Sequence, residues 1–449
     1  MPWANNMNTP ICDFVRSYAQ RKGLRLHMPG HKGCDLLGME KLDITEVDGA
    51  DSLYEADGII ARSEANASAL FDCSTYYSTE GSSQCIRAML YLVQILACQK
   101  GRSPLIAAGR NAHKTFLTAA ALLDMQVHWL YPETGASYLS CNLTGQQLDT
   151  YLRTATQKPA AVYITSPDYL GNVADIEALA EVCHRHDVLL VVDNAHGAYL
   201  KFLPQSRHPI DLGADLCCDS AHKTLPALTG GAYLHLSVEM ENLLSGQVKN
   251  ALMIFGSTSP SYLILQSLDA VNLYLETYSQ RLKDFLPRVQ MLKETLVQQG
   301  YTLYGNEPLK ITLDAKAYGY QGVRLAEHLR LQQIEPEFAD QDYLVLMLTP
   351  ENEDLQPLVQ ALCSLPKLPP ILDPMPAFVP GQQVMTIRQA MLSANEILPA
   401  DRCLGRILAV PTVGCPPAVP ILVCGETITE HAISCLSYYG VTTCCVVKE

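Results

Sequence analysis

Asp219-Ser220-Ala221-His222-Lys223-Thr224-Leu225-Pro226 sets a lysine directly after Ser-x-His. Thirty residues upstream, Asp193 closes the apolar run Val188-Leu189-Leu190-Val191-Val192. A lysine amine forms a Schiff base with an aldehyde. A carboxylate at a strand end keeps a pyridine nitrogen protonated, so that the ring draws electrons. These are two requirements of a pyridoxal 5'-phosphate (PLP) site. Ser220 and His222 flank the lysine, where they are placed to reach the phosphate. Lys223 is therefore expected to hold PLP, and Asp193 to pair with its ring nitrogen.

Working outward, strand-like and helical patterns alternate from about Lys100 to Leu236. Pro104 to Ala108, Gln126 to Leu130, Ala160 to Ile164 and the run ending at Asp193 read as strands. Lys114 to Met125 and Asp175 to His186 between them read as helices. That rhythm predicts a mainly parallel sheet covered by helices. Ligands of such sheets collect at the strands' carboxyl ends, where Asp193, Ser166 and Arg110 are expected to converge. Ser259 to Gln298 reads as largely helical. The proline-dense stretch from Leu365 to Gly381 reads as a linker. Beyond it we expect a helix over Thr386–Ile397 and strands at Ile421–Val423 and Thr442–Val447. The predicted division is a PLP-binding large domain (1–270), a small domain (271–365) and a C-terminal domain (366–449).

Composition narrows the class. Of the 449 residues, 48% are hydrophobic and 17% charged, which excludes a disordered chain. A formal charge of −14 argues against a nucleic-acid partner, which requires a basic face. Met1 to Asn8 carries no basic-then-apolar leader pattern, and no apolar run approaches the roughly 18 residues of a membrane span. A cytoplasmic protein without a membrane partner is expected. The 16 cysteines, adjacent only at Cys217-Cys218 and Cys444-Cys445, show no CxxC framework and suit a reducing compartment. Cys183-His184-Arg185-His186 falls within an expected helix and lacks zinc-ligand spacing, so no metal is expected.

Several segments together resemble the Orn/Lys/Arg decarboxylases. They are Leu26-His27-Met28-Pro29-Gly30-His31-Lys32-Gly33, Leu42 to Gly49, Arg110-Asn111-Ala112-His113-Lys114, Asp193-Asn194-Ala195-His196-Gly197, Ser220 to Pro226, Thr258 to Leu263, and Pro416 to Pro420 with Gly425-Glu426. The resemblance covers nearly the whole chain and is to the short members of the family. It implies an α/β fold of the PLP-dependent transferase type (fold type I). That fold comprises a large domain with a mainly parallel sheet, a small α/β domain and a C-terminal α+β domain. It implies decarboxylation of lysine, arginine or ornithine to an amine and CO2, in polyamine biosynthesis, by a homodimer or an assembly of dimers.

The resemblance also assigns roles. Lys223, His113, Asp193 and His196 are the expected catalytic residues, with His113 stacking on the ring and His196 near the cofactor or substrate carboxylate. Gly81-Ser82-Ser83-Gln84 is the expected phosphate cup, where helix-terminal N–H groups and hydroxyls meet the anion. Thr258 and Ser259 are expected to reach a phosphate across a dimer interface. Competing readings are ordinary ones: a structural His196, a Ser-rich helix cap, and a Ser-Pro turn.

The chain departs from the family pattern in places. Cys85, Ile86 and Arg87 stand where the cup usually carries a second glycine and polar residues. Asn194 replaces the glutamate common after the aspartate, and Asp168-Tyr169 follows Ser166-Pro167. Asp168, Glu46, Asp48, Asp51 and Glu426 are candidates to pair with a substrate's distal cation. Arg324 and Arg330 would favour an aminotransferase if either bound a substrate carboxylate. A β-eliminating lyase and a non-catalytic binding relative are the further alternatives.

Overall fold

The computed structural model describes residues 7–132, 136–411 and 416–449. Met1–Asn6, part of the stretch read for a leader, lies outside them. Seven strands carry the α/β region: β1 (Ser74–Ser78), β2 (Leu105–Gly109), β3 (Gln126–Leu130), β4 (Ala161–Thr165), β5 (Leu189–Asp193), β6 (Leu216–Asp219) and β7 (Ala232–Leu236). The chain divides into two compact units, Met1–Leu96 with Leu189–Lys283, and Ala97–Val188 with Asp284–Glu449.

In the first unit the strand order is β1-β7-β6-β5. β5 and β6 are parallel, and β7 runs antiparallel to both of its neighbours. Leu190, Val191 and Val192 are buried on both faces, which is why the run reads as continuous apolar rather than alternating. The helix Gly81–Gln99 follows β1. The helix Tyr262–Leu275 packs through Leu265, Leu268, Val271 and Leu275.

In the second unit β4-β2-β3 are parallel throughout. The helix Lys114–Leu122 links β2 to β3, and Ile176–Arg185 follows β4 with Asp175 as its N-cap. The strand–helix alternation and the mainly parallel sheet are thus as the sequence predicts. Two further sheets belong to this unit. β8 (Thr302–Tyr304), β9 (Lys310–Asp314), β10 (Phe338–Ala339) and β11 (Tyr343–Met347) pair antiparallel in the order β10-β11-β9-β8. β12 (Asn395–Pro399), β13 (Leu408–Val410) and β14 (Thr443–Val447) pair in the order β12-β14-β13 over a core of Cys403, Leu408, Ile428, Leu436 and Val446.

The largely helical reading of Ser259–Gln298 stands, and two other local expectations change. The Ser259–Gln298 stretch is two helices, Tyr262–Leu275 and Tyr278–Gln298. The tail helix spans Ile387–Leu392, held at its start by a capping box between Thr386 and Gln389. Its expected end, Ile397, instead lies in β12, because Ser393 turns extended and Asn395–Pro399 pairs with β14. Ile421–Val423 is not a strand but a buried bend leading into the turn at Cys424–Gly425. Its apolar residues serve the core while Arg110 binds the carbonyls of Pro420 and Ile421.

Candidate active site

The first unit gathers most of the expected site residues on three connections. After β6, Ser220 precedes a single helical turn, Ala221–Thr224, that carries His222 and Lys223. After β5, the turn Asn194 to Gly197 carries His196, and its tightness needs a glycine: a Cβ on Gly197 would sit 2.0 Å from Asn194 Oδ1. After β1, Gly81 takes a φ of +72° and opens the 19-residue helix Gly81–Gln99.

Lys223 Nζ lies 3.0 Å from His196 Nε2. Asp193 is 2% exposed, and its Oδ1 accepts from the Ala195 N–H (3.2 Å) and the Cys218 thiol (3.7 Å). The Ser220 hydroxyl donates to Ser82 Oγ (2.9 Å), joining the lysine turn to the helix start. His222 Nδ1 is 2.9 Å from the Gly231 carbonyl, and burial, with some help from the Lys223 charge, pushes its pKa down.

The expected cup has a definite division of labour. Ser82 and Ser83 sit in the first turn of a long helix, whose N-terminal dipole and N–H groups suit an anion. Gln84 is fully buried, and its side chain is committed elsewhere. It accepts from the Ser78 hydroxyl (2.5 Å) and donates to Tyr54 Oη (2.9 Å) and the Leu252 carbonyl (2.8 Å). Its amide therefore buttresses the turn. Ser78 and Tyr54 had no motif to flag them; a hydroxyl at the end of β1, just before Gly81, is the signal Ser78 leaves. Cys85 and Ile86 face the core, and burial pushes the Cys85 thiol up to about 12. The departure from the family pattern thus alters helix packing, not the donors at its start. Thr258 and Ser259 are exposed, in a loop where Glu80 Oε1 accepts from the Ser257 N–H.

These residues fit PLP on their donor chemistry. A lysine meets an aldehyde, a buried carboxylate meets a protonated ring nitrogen, and paired hydroxyls at a helix start meet a phosphate.

Most of the other candidates are engaged by partners of their own. His113, in the second unit, caps the helix Lys114–Leu122 by accepting the Thr115 N–H at Nδ1 (3.2 Å). Arg110 and Glu426, 2% and 1% exposed, pair with each other at 3.3 Å. Ser166 Oγ accepts from the Ala174 N–H (3.0 Å). Asp168 is buried among Ser140, Leu170 and Asn172 donors, and burial pushes its pKa up. Asp51 accepts from the N–H groups of Gly58 and Ile60 (both 2.8 Å), while Glu46 and Asp48 are exposed. Arg324 and Arg330 are exposed and paired with Glu327 and Glu335, so neither is built as a buried carboxylate clamp.

Residues 9–313 match the model of the Orn/Lys/Arg decarboxylase major domain. The chain belongs to the Orn/Lys/Arg decarboxylase family. It is 30% identical over 474 residues to an arginine decarboxylase of Bacillus subtilis, covering 95% of this chain and 92% of that one. It is 28% identical to an arginine decarboxylase of Halalkalibacterium halodurans, over 95% and 92% of the two chains. Its fold is similar to that of the E. coli constitutive lysine decarboxylase, with a TM-score of 0.78 at 17% identity over 98% of this chain and 82% of that one. The family places this chain among the PLP-dependent amino acid decarboxylases, and the expectations of fold type I and of PLP stand.

Proposed function

We propose that this decarboxylase acts on arginine, lysine or ornithine, releasing CO2 and the corresponding amine. The observation that carries the reading is the meeting of Lys223, His196, Asp193 and the Ser82–Ser220 pair within one unit. Two curated relatives matched along nearly their whole length are named arginine decarboxylases, which makes arginine the first substrate to test.

Bound PLP supplies an electron sink for the pair left on Cα when CO2 departs. Lys223 holds the cofactor's aldehyde carbon. Asp193 holds a proton on the ring nitrogen, and its burial strengthens that pairing. Ser82, Ser83 and Ser220 fix the phosphate end. His196 Nε2 and Lys223 Nζ, in hydrogen-bond contact, form the pair able to pass a proton near Cα. His113 keeps, as part of the proposal, the ring-stacking role that the family resemblance implies.

The same reading takes the active form as a homodimer or an assembly of dimers. The exposed Thr258 and Ser259 support it, being the residues the family would present to a neighbouring subunit's phosphate. It also takes the setting as cytoplasmic and the product as a polyamine precursor. No helix among the described residues is long and apolar enough to cross a membrane. The transaminase alternative loses its candidate clamps, since Arg324 and Arg330 are exposed and paired.

The test is mass-spectrometric detection of the amine and CO2 after incubation with arginine, lysine and ornithine separately. Release from one of them, abolished by Lys223→Ala, supports the reading. No amine from any of them, with the cofactor's visible band intact, overturns the substrate assignment.

A further inference from the structure

Behind the strand ends that carry Asp193 and Lys223 lies a polar cluster that the chemistry above does not use. β6 ends at Asp219, whose side chain is fully buried. Its Oδ1 accepts from Asn194 Nδ2 at 2.6 Å. Its Oδ2 is 3.2 Å from Nε2 of both His208 and His235, and these imidazoles are fully buried too. His235 Nδ1 reaches Thr75 Oγ1 at 3.0 Å. Phe71, Phe202 and Tyr233 wall the cluster. His208, Cys217 and Asp219 also stand within metal-binding reach of one another, but N–H donors already fill the Asp219 oxygens.

Strand geometry puts this cluster on the opposite face from Asp193. Asp193 pairs with Cys218 across β5 and β6, and the Cys218 thiol meets its carboxylate. Side chains alternate along a strand, so Cys217 and Asp219 face the other way. Asn194, one residue past Asp193, turns to that second face to meet Asp219. The hydrogen bond thus joins the residue after Asp193 to the residue before Ser220, four before Lys223.

Such a group is costly to keep. A carboxylate this deep needs every donor it has, and apolar replacement of buried ionic groups is often neutral or stabilising. Here the imidazoles outweigh burial and hold the Asp219 carboxyl well below the usual range, while Asp219 lifts His235 despite its own burial. Asn194 stands where the family commonly carries glutamate, so this chain keeps the acid on the lysine's strand and the amide beside Asp193.

Resting on the PLP reading of the site, we propose that Asp219 is a positioning residue. Through Asn194 it locks the Asp193 turn to the Ser220–Lys223 turn, fixing the span between the ring-nitrogen and aldehyde ends of the cofactor. Removing the lock loosens both ends while leaving the substrate's own contacts in place.

The test compares Asp219→Asn, Asn194→Asp and the double exchange Asn194→Asp/Asp219→Asn in the full chain. Three readouts are taken: the PLP dissociation constant, the pH midpoint of the cofactor's visible band, and kcat against KM. Asn194→Asp, which sets two carboxylates against each other, is expected to raise the dissociation constant about tenfold, the scale of one hydrogen bond to a charged group, and Asp219→Asn, which keeps an amide link without the charge, by less. Each is also expected to move the band's pH midpoint and to lower kcat with little change in KM. The double exchange restores an acid–amide pair and should recover part of each loss, a coupling that independent sites do not show. Should a single variant fail to fold, Asn194→Ala reads the same link. Variants that lower only Tm, with all three readouts as in the parent, would make Asp219 core fabric and overturn the proposal. No visible band in the parent chain on adding PLP would overturn the reading of the site instead.

Discussion

Lys223 Nζ and His196 Nε2 stand 3.0 Å apart, on turns that follow two neighbouring parallel strands. One nitrogen must donate and the other accept, so the protonation of each is tied to that of the other. On the proposed reading this makes His196 more than a packing residue, because it touches the amine proposed to hold the cofactor.

Replacing His196 with leucine should therefore separate cofactor attachment from turnover. Lys223→Ala removes the visible band altogether, whereas His196→Leu should keep it. The leucine variant should lose about 10²–10⁴-fold in kcat, the range of a positioned acid–base group. Absorbance and single-turnover CO2 release measured on the same preparation check this. Unchanged turnover would return His196 to a structural role.

The Ser82–Ser220 hydroxyl pair gives a second prediction, on binding instead of rate. The two hydroxyls meet at the start of a long helix, where the proposed reading puts the phosphate. Ser82→Ala and Ser220→Ala should each weaken PLP binding by roughly 10- to 100-fold, as for loss of one hydrogen bond to a charged group. Gln84→Ala should act differently, lowering Tm as well, because it removes buried hydrogen bonds to the Ser78 hydroxyl, Tyr54 Oη and the Leu252 carbonyl. Equilibrium dialysis with PLP beside thermal melts distinguishes the two patterns.

What the sequence made legible follows from how local each signal is. Lys223, Ser220 and His222 lie within four residues, and the apolar run before Asp193 marks a buried strand by itself. The polar fabric behind them has no such local mark. Arg110 finds Glu426 across 316 residues, and His208 and His235 meet on Asp219 only once β6 and β7 pair. Burial then reverses the reading of individual acids: Glu426, Asp51 and Asp168 look available for a cation, yet each is occupied by backbone or side-chain donors. Ile421–Val423 misleads for a related reason. An apolar run reports burial but not whether a strand partner exists, and here the bend is held by Arg110 instead.

The Arg110–Glu426 pair carries a stability prediction. Arg110 also donates to the carbonyls of Pro420 (2.9 Å) and Ile421 (3.1 Å), and Glu426 accepts from the Val423 N–H (2.9 Å). Glu426→Ala leaves a buried guanidinium without its counter-charge, which costs about 3–5 kcal/mol. Arg110→Met/Glu426→Leu removes both charges and should be less destabilised than Glu426→Ala. Thermal melts of the two variants beside the parent test the order, and a double variant no better than the single one would refute it.

Asp340 supplies a pH dependence with a defined sign. Burial raises its pKa from 3.8 to about 6, against the Tyr343 and Asp342 backbone N–H groups that lower it. Below the unfolded value both states hold the proton, and the contribution of neutral Asp340 to stability is fully present. As pH rises through about 6 the folded chain must ionise a buried carboxyl, and that contribution is lost. Asp340 Oδ1 accepts from Asp342 N–H (2.8 Å) and Tyr343 N–H (2.7 Å), and an asparagine oxygen keeps both bonds. Asp340→Asn should therefore raise Tm at about pH 8, where the native carboxyl is charged, and leave it nearly unchanged near pH 3, where both states hold the proton. The nearby Asp342 sharpens the contrast, since its charge adds to the cost of ionising Asp340 while Lys316 reduces it. An equal Tm difference at both pH values would trace the effect to packing, not to the buried charge.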